Sequence, residues 1–168
     1  MIAHIIILAV FPALLLLAAG WDLASFTIPN AIPAALAVAF LVLALAADMP
    51  AATLGWHALA GTIGLVLGFA LFAFGVIGGG DAKLFASVAL VFGTHDALAY
   101  ALMASLFGGA LTLGLLGMRR VPLPQFLSQP WLLRLHDSSQ GVPYGVALSA
   151  GAFVLLPHTE IFRIAAGG

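Results

Sequence analysis

The sequence predicts an all-α membrane protein: six transmembrane helices, the fourth of them short, and no soluble domain. Three observations lead there. Of 168 residues, 64% are hydrophobic and only 7% charged, against about 25% charged in ordinary soluble domains. A soluble fold this small has no interior able to hide so much apolar surface, so the excess faces lipid. The charged residues also cut the chain into uncharged stretches, several of them near the ~20 residues that cross a hydrocarbon core. Only one substantial polar loop interrupts them, at 119–140.

The elements follow in order. Residues 2–21 form the first helix. No Lys or Arg precedes this stretch, and it exceeds the apolar core of a usual signal peptide, so it reads as a retained span. Residues 31–47 form the second helix, with Pro33 tolerable in its first turn. The chain carries no formal charge over 49–80; 49–55 reads as a short connection and 56–77 as the third helix. The fourth, 84–95, rises only about 18 Å, too little for a ~30 Å core. It must begin inside the membrane profile, or its first turn must carry Asp81 and Lys83. Residues 97–118 and 141–157 form the fifth and sixth helices. Within the loop between them, 125–135 includes Trp131 and suits an interfacial amphipathic segment, its arginines near lipid phosphates. The whole, 1–168, reads as one polytopic domain without internal repeat.

Six spans put the first, third and fifth connections on one side. That side holds Lys83, Arg119, Arg120 and Arg134, whereas the other has only Arg163. The bias of basic residues towards the cytoplasm places those connections inside and both termini outside. A net charge of −1 gives no basic surface for nucleic acid. The absence of cysteine excludes thiolate zinc sites and cysteine nucleophiles.

Two acids stand out. Asp22 follows the first helix and Asp81 precedes the fourth, on the same side. Carboxylates at membrane depth are costly, and such a residue is a functional hypothesis by default. Two that converge cannot both ionise comfortably, so they would share a proton near neutral pH. One can then draw a proton from water while the other polarises a peptide carbonyl, a hydrolysis that requires no metal. The plainer reading puts Asp22 among headgroups and makes Asp81 the N-cap of the fourth helix. Gly78, Gly79 and Gly80 weigh against it, because three consecutive glycines allow unusual φ values and close approach of another chain. They lack the Gly-Lys-Ser/Thr ending of a phosphate-binding loop.

Other residues carry less. Lys83 either snorkels towards headgroups or offsets charge near the acids, and a direct pair with Asp81 two positions away is disfavoured on a helix. Pro29 and Asn30 shape the start of the second helix. The five histidines show no metal-ligand spacing, and His95-Asp96 reads as a turn. Ser25, Ser87 and Ser105 have no neighbouring base. Gly61, Gly64 and Gly68, with Gly109, Leu113 and Gly117, fit close helix packing.

The segment Gly78-Gly79-Gly80-Asp81 resembles the G-x-G-D signature of intramembrane aspartic peptidases. Asp22 with its following Ile28-Pro29-Asn30 resembles the first catalytic segment of the type IV prepilin peptidases. Asp81-Ala82-Lys83-Leu84 and Val142-Pro143-Tyr144-Gly145 resemble that family's second catalytic segment and the opening of its last helix. The resemblance implies an endopeptidase of the bacterial inner membrane, with Asp22 and Asp81 as its catalytic pair and no cofactor. Its partner would be a prepilin or pseudopilin precursor, cut at the cytoplasmic face. Larger members add a cysteine-rich cytoplasmic domain and N-methylate the product. This chain looks like the minimal form serving Flp/Tad-type pili, without methyltransferase activity. Ala24 stands where many relatives have a basic residue.

The same acids admit a different function, a small proton- or cation-coupled transporter in which the glycines unwind a helix beside a path. A structural membrane subunit is a third. Position separates them: transport carboxylates belong near the bilayer midplane, whereas Asp22 and Asp81 fall near helix ends.

Overall fold

The computed structural model describes residues 1–124 and 129–166. Within them the chain forms seven helices and no strand. Helix α1 is Ile2–Ser25, α2 Ala31–Ala46, α3 Ala51–Ala73 and α4 Gly79–Met118. The short α5, Pro130–His136, precedes α6, Tyr144–Leu155, which a 3₁₀ turn at Leu156–His158 prolongs before α7, Glu160–Ala166. Three helices, α1, α3 and α4, are long and apolar enough to cross a membrane.

Several boundaries differ from the sequence expectation. Helix α1 loosens into a π-turn over Ile6–Val10, immediately before Pro12, whose ring cannot sit against the carbonyl four residues earlier in a regular helix. It then runs beyond residue 21 and keeps Asp22 in its last turn, stopping only at Phe26 in the left-handed region (φ 55°). Helix α3 begins at Ala51, not 56, because extended Pro50 (ψ 143°) starts it directly. It ends at Ala73, not 77. Gly75 adopts φ 70°, and Val76 N–H returns to Leu71 O at 2.9 Å, a glycine stop that absorbs the last carbonyls.

Helix α4 is two antiparallel arms. Phe85 and Tyr100 would stand about 22 Å apart along one straight helix, yet their rings stack with centroids 5.4 Å apart. The chain reverses at Gly93 (φ 71°, ψ 177°), a conformation essentially confined to glycine. The first arm, 79–92, is the short helix expected from the sequence, and its first turn carries Asp81 and Lys83. His57 serves the break. The Leu90 carbonyl would take Thr94 N–H in an unbroken helix; instead His57 Nδ1 lies 2.8 Å from it and donates. The imidazole is buried (3% exposed) and stacks on Phe40 at 4.9 Å.

Small residues set the spacing between helices. On α3, Gly61, Gly64 and Gly68 face Leu90, Ala86/Ala89 and Ala82 of the first arm, so close that an added Cβ would lie 2.9–3.0 Å from them. Gly151 of α6 meets the Ala104 backbone in the same way. Without a hydrophobic drive between helices in lipid, such close backbone approach supplies the packing. Gly109 and Gly117 have nothing within 4 Å and Leu113 is exposed, so that expected seam faces outward. The core lies between α1, α2, the first arm and α6, around Phe11, Leu36, Phe40, Leu43, Leu84 and Phe92. Outside it, Leu16, Leu45, Ile63, Phe69, Leu102 and Leu106 are exposed, a surface tolerable only in lipid. The chain is a membrane protein.

The His95-Asp96 pair is no turn. It sits inside the second arm, where His95 Nδ1 meets Asp96 Oδ1 at 2.8 Å and Asp96 Oδ2 accepts Glu160 N–H at 2.7 Å, pinning α7 to α4.

Gly93→Ala is expected to cost at least about 2 kcal/mol through the forbidden backbone region. Its methyl would also meet the His57 ring at 2.9–3.1 Å. The measurement is the unfolding midpoint in detergent, and an unchanged midpoint would refute the proposed break.

Candidate active site

The connections at 26–30 and 74–78, with residues 119–124 and 129–143, lie at one end of the bundle, and the two acids lie there. After α1 stops at Phe26, whose N–H returns to Asp22 O at 2.7 Å, the chain runs extended to Pro29 and α2. Ile28 is buried in this stretch (6% exposed). It wedges between two glycines. A Cβ on Gly80 would lie 3.1 Å from Ile28 Cβ and 3.2 Å from its backbone N, and one on Gly145 only 2.6 Å from Ile28 Cδ1. Gly80 and Gly145 are therefore glycines because the strap carrying Ile28 crosses them without room for a methyl group. Gly79 has ordinary contact with the Phe72 ring, at 3.5 Å.

Asp22 is 3% exposed and Asp81 7%. Val146 N–H, in the first turn of α6, donates to Asp22 Oδ2 at 3.3 Å. Asp81 stands not before α4 but third within it, with Gly78 at the N-cap position. Its Oδ2 accepts Gly78 N–H at 3.0 Å, which is half of a capping box; glycine has no side chain to return the bond. Among the described residues Asp81 Oδ1 has no protein partner. Gly145 packs against Asp22, since a Cβ on it would lie 2.9 Å from Asp22 Oδ2, and the Ile28 that presses on it also presses on Gly80, the neighbour of Asp81. The structure thus brings the acids together around the first turn of α6. A helix N-terminus has unpaired N–H groups and a positive dipole end, which suits it to hold carboxylates.

Lys83 does neither of the things expected of it. Its Nζ donates to Asn30 Oδ1 at 2.8 Å, which ties the first arm to the start of α2. Positions 81 and 83 point about 200° apart on a helix, so this tie lies away from the acids. Asn30 occupies the cap position of α2, and Pro29 O accepts Ile32 N–H at 3.0 Å.

Arg119 gives its guanidinium to the carbonyls of Leu135, Gln140 and Gly141, and Arg134 gives Nη1 to Ala24 O at 3.2 Å. Of the expected amphipathic segment, 125–128 lies outside the described residues, and α5 with half-exposed Trp131 covers the remainder. Among the described residues no three His, Asp or Glu side chains gather as a metal-ligand set. Sequence reasoning missed the backbone donor Val146 and the close packing of Gly145 on Asp22, because an N–H group has no signature of its own. Pro143-Tyr144-Gly145 was their only visible trace, a proline–glycine helix start.

Residues 9–113 match the type IV leader peptidase family. The chain belongs to that family. The matched span holds both Asp22 and Asp81 and ends within the second arm of α4, so the part of the site built by α6 lies beyond it. No curated protein and no solved structure matches the chain. As a leader peptidase of the membrane, the protein is a protease.

Gly145→Ala is expected to push Asp22 and Ile28 apart from α6 and to slow leader cleavage by roughly 10²-fold, the scale of an ångström's misplacement. Gly109→Ala, with open space around it, should cleave normally. A wild-type rate for Gly145→Ala would show that the close contact does not hold the site.

Proposed function

We propose that this protein is an aspartic endopeptidase that removes the leader peptide from Flp-type prepilins at the cytoplasmic face of the inner membrane. The observation that carries the reading is that two buried acids, Asp22 on Val146 N–H and Asp81 on Gly78 N–H, flank the single Ile28 strap that packs on Gly80 and Gly145. In this reading one carboxylate takes a proton from a water molecule, which attacks the scissile carbonyl, and the protonated partner hydrogen-bonds the carbonyl oxygen. The tetrahedral species collapses with proton return to the leaving amine, with no covalent enzyme intermediate. Asp81 Oδ1, buried and without a protein partner among the described residues, is the oxygen best placed to meet water or substrate. The substrate would present its own apolar helix in the membrane, with the cleavage point just outside it.

Residues 1–168 act as one domain, because α1 and α7 share a core with the helices between them. Counting α4 as two crossings, with its reversal at Gly93, supports six spans. It also supports the placement of the acid-bearing end with Arg119, Arg120 and Arg134 in the cytoplasm and both termini outside. Exposed Trp21 and Trp131 at that end, and Trp56 near the Gly93 reversal, suit the two headgroup belts. Neither the family match nor the position of the acids at helix ends favours the transporter.

Co-expression of a Flp-type pilin precursor with wild type, Asp22→Asn or Asp81→Asn tests the dyad. Asn keeps the shape and removes the ionisable group, so each variant should lose at least roughly 10²-fold in processing. Either variant processing at the wild-type rate while folded in the membrane would overturn the reading.

A further inference from the structure

Arg119 sits just past the end of α4, half-buried. Its Nε donates to Leu135 O at 2.8 Å, and its Nη2 to Gly141 O at 2.9 Å and Gln140 O at 3.2 Å. One planar guanidinium thus joins three carbonyls from both ends of the 135–141 stretch, a fork that an ammonium group cannot reproduce. Asp137 lies between those ends; Ser139 N–H, 2.9 Å from its Oδ1, holds its carboxyl below the usual range, so it stays charged near the guanidinium.

What lies downstream makes this clamp matter. Four residues after Gly141 comes Gly145, and then Val146, the donor to Asp22. Between Gly141 and Gly145 stand Val142, Pro143 and Tyr144. Pro143 is almost wholly buried and its ring holds φ at −73°, so a shift at Gly141 passes along a stiff link with little slack. Arg134 holds the other partner, since Ala24, whose carbonyl it binds, lies two residues after Asp22. The clearance is small. A methyl on Gly145 would lie 2.9 Å from Asp22 Oδ2, and the Val146 bond is already 3.3 Å long. Movement of the α6 N-terminus by a fraction of an ångström therefore makes or breaks the amide contact.

We propose that Arg119 is the positioning residue that registers the first turn of α6 on Asp22, clamping Leu135, Gln140 and Gly141 so that the Val146 amide faces the Asp22 carboxyl and Gly145 packs against it. The inference rests on the reading of Asp22 and Asp81 as the reacting pair. Arg119 touches neither substrate nor reacting atoms. It acts on the turnover step through the carboxyl geometry, and leaves alone the surfaces that bind an apolar substrate helix.

The test uses the full chain in detergent micelles or nanodiscs, with a purified Flp-type prepilin as probe, and compares Arg119→Gln, Arg119→Lys, Arg120→Gln and Asp22→Asn. Arg119→Gln should lower kcat at least about tenfold, up to the roughly 10²-fold expected for an ångström's misplacement, with KM within about twofold of wild type. Arg119→Lys, which keeps the charge and loses the fork, should recover less than half of the lost rate. Exposed Arg120, changed to Gln, should leave kcat unaltered. The second readout is the amide proton resonance of Val146, which reports its bond to Asp22. It should move in Arg119→Gln towards its position in Asp22→Asn, while amides of α2 and α3 stay in place. The inference is overturned by a normal kcat in Arg119→Gln, by full recovery with Lys, by equal loss in Arg120→Gln, or by an unmoved Val146 resonance. Failure of the dyad itself looks different: there Asp22→Asn would cleave normally.

Discussion

A carboxyl group withdrawn from water has to be met by hydrogen-bond donors, and inside a membrane protein the surest donors are backbone amides that a helix leaves unpaired. This constraint governs the acid-bearing end of the structure. Asp81 is met by Gly78 N–H at the start of its own helix, and Asp22 by Val146 N–H at the start of α6. The second bond joins residues 124 positions apart, so it exists only if α1 and α6 arrive at the same depth. Glycines at 80 and 145 allow that arrival, because Ile28 crosses both with no space for a side chain.

The depth is set at the opposite end of the bundle. The first arm of α4 has only 14 residues before Gly93, about 21 Å of helix, and its partner α3 locks onto it through Gly61, Gly64 and Gly68. His57 closes the reversal by occupying the carbonyl that the break leaves open. A short arm, anchored at the far end and packed backbone to backbone, holds Asp81 in its first turn without relying on contacts at the acid itself. The charged residues divide accordingly. Lys83, Arg119 and Arg134 all bind oxygen atoms of the protein; the two arginines tie segments next to the acids, and Lys83 ties the first arm to α2 on a face turned away from them.

Much of this was legible in the chain. The uncharged stretches announced the helices, and the shortness of residues 84–95 left two alternatives, a start inside the membrane profile or a first turn carrying Asp81 and Lys83, of which the structure takes the one with Asp81 inside the helix. The errors have local causes. Phe26 ends α1 in the left-handed region, a choice that a phenylalanine does not advertise, so Asp22 was placed outside the helix that contains it. Gly75 stopped α3 four residues early because its glycine stop was hidden inside an apolar run. His95-Asp96 looked like a turn from its polarity, while the reversal falls at Gly93, where the backbone and not the side chain decides.

By itself the sequence determined that the chain lives in a membrane, that it is helical, and that two acids with the leader-peptidase signature stand at one end of their helices. Those are local properties, readable from hydropathy and from a few adjacent side chains. Only the tertiary structure decided that Asp22 meets the Val146 amide at the start of α6, and that Arg119 binds the carbonyls of the segment leading into it. The reason is physical: backbone N–H and C=O groups are common to almost every residue, and which of them meet is settled by how closely the helices pack.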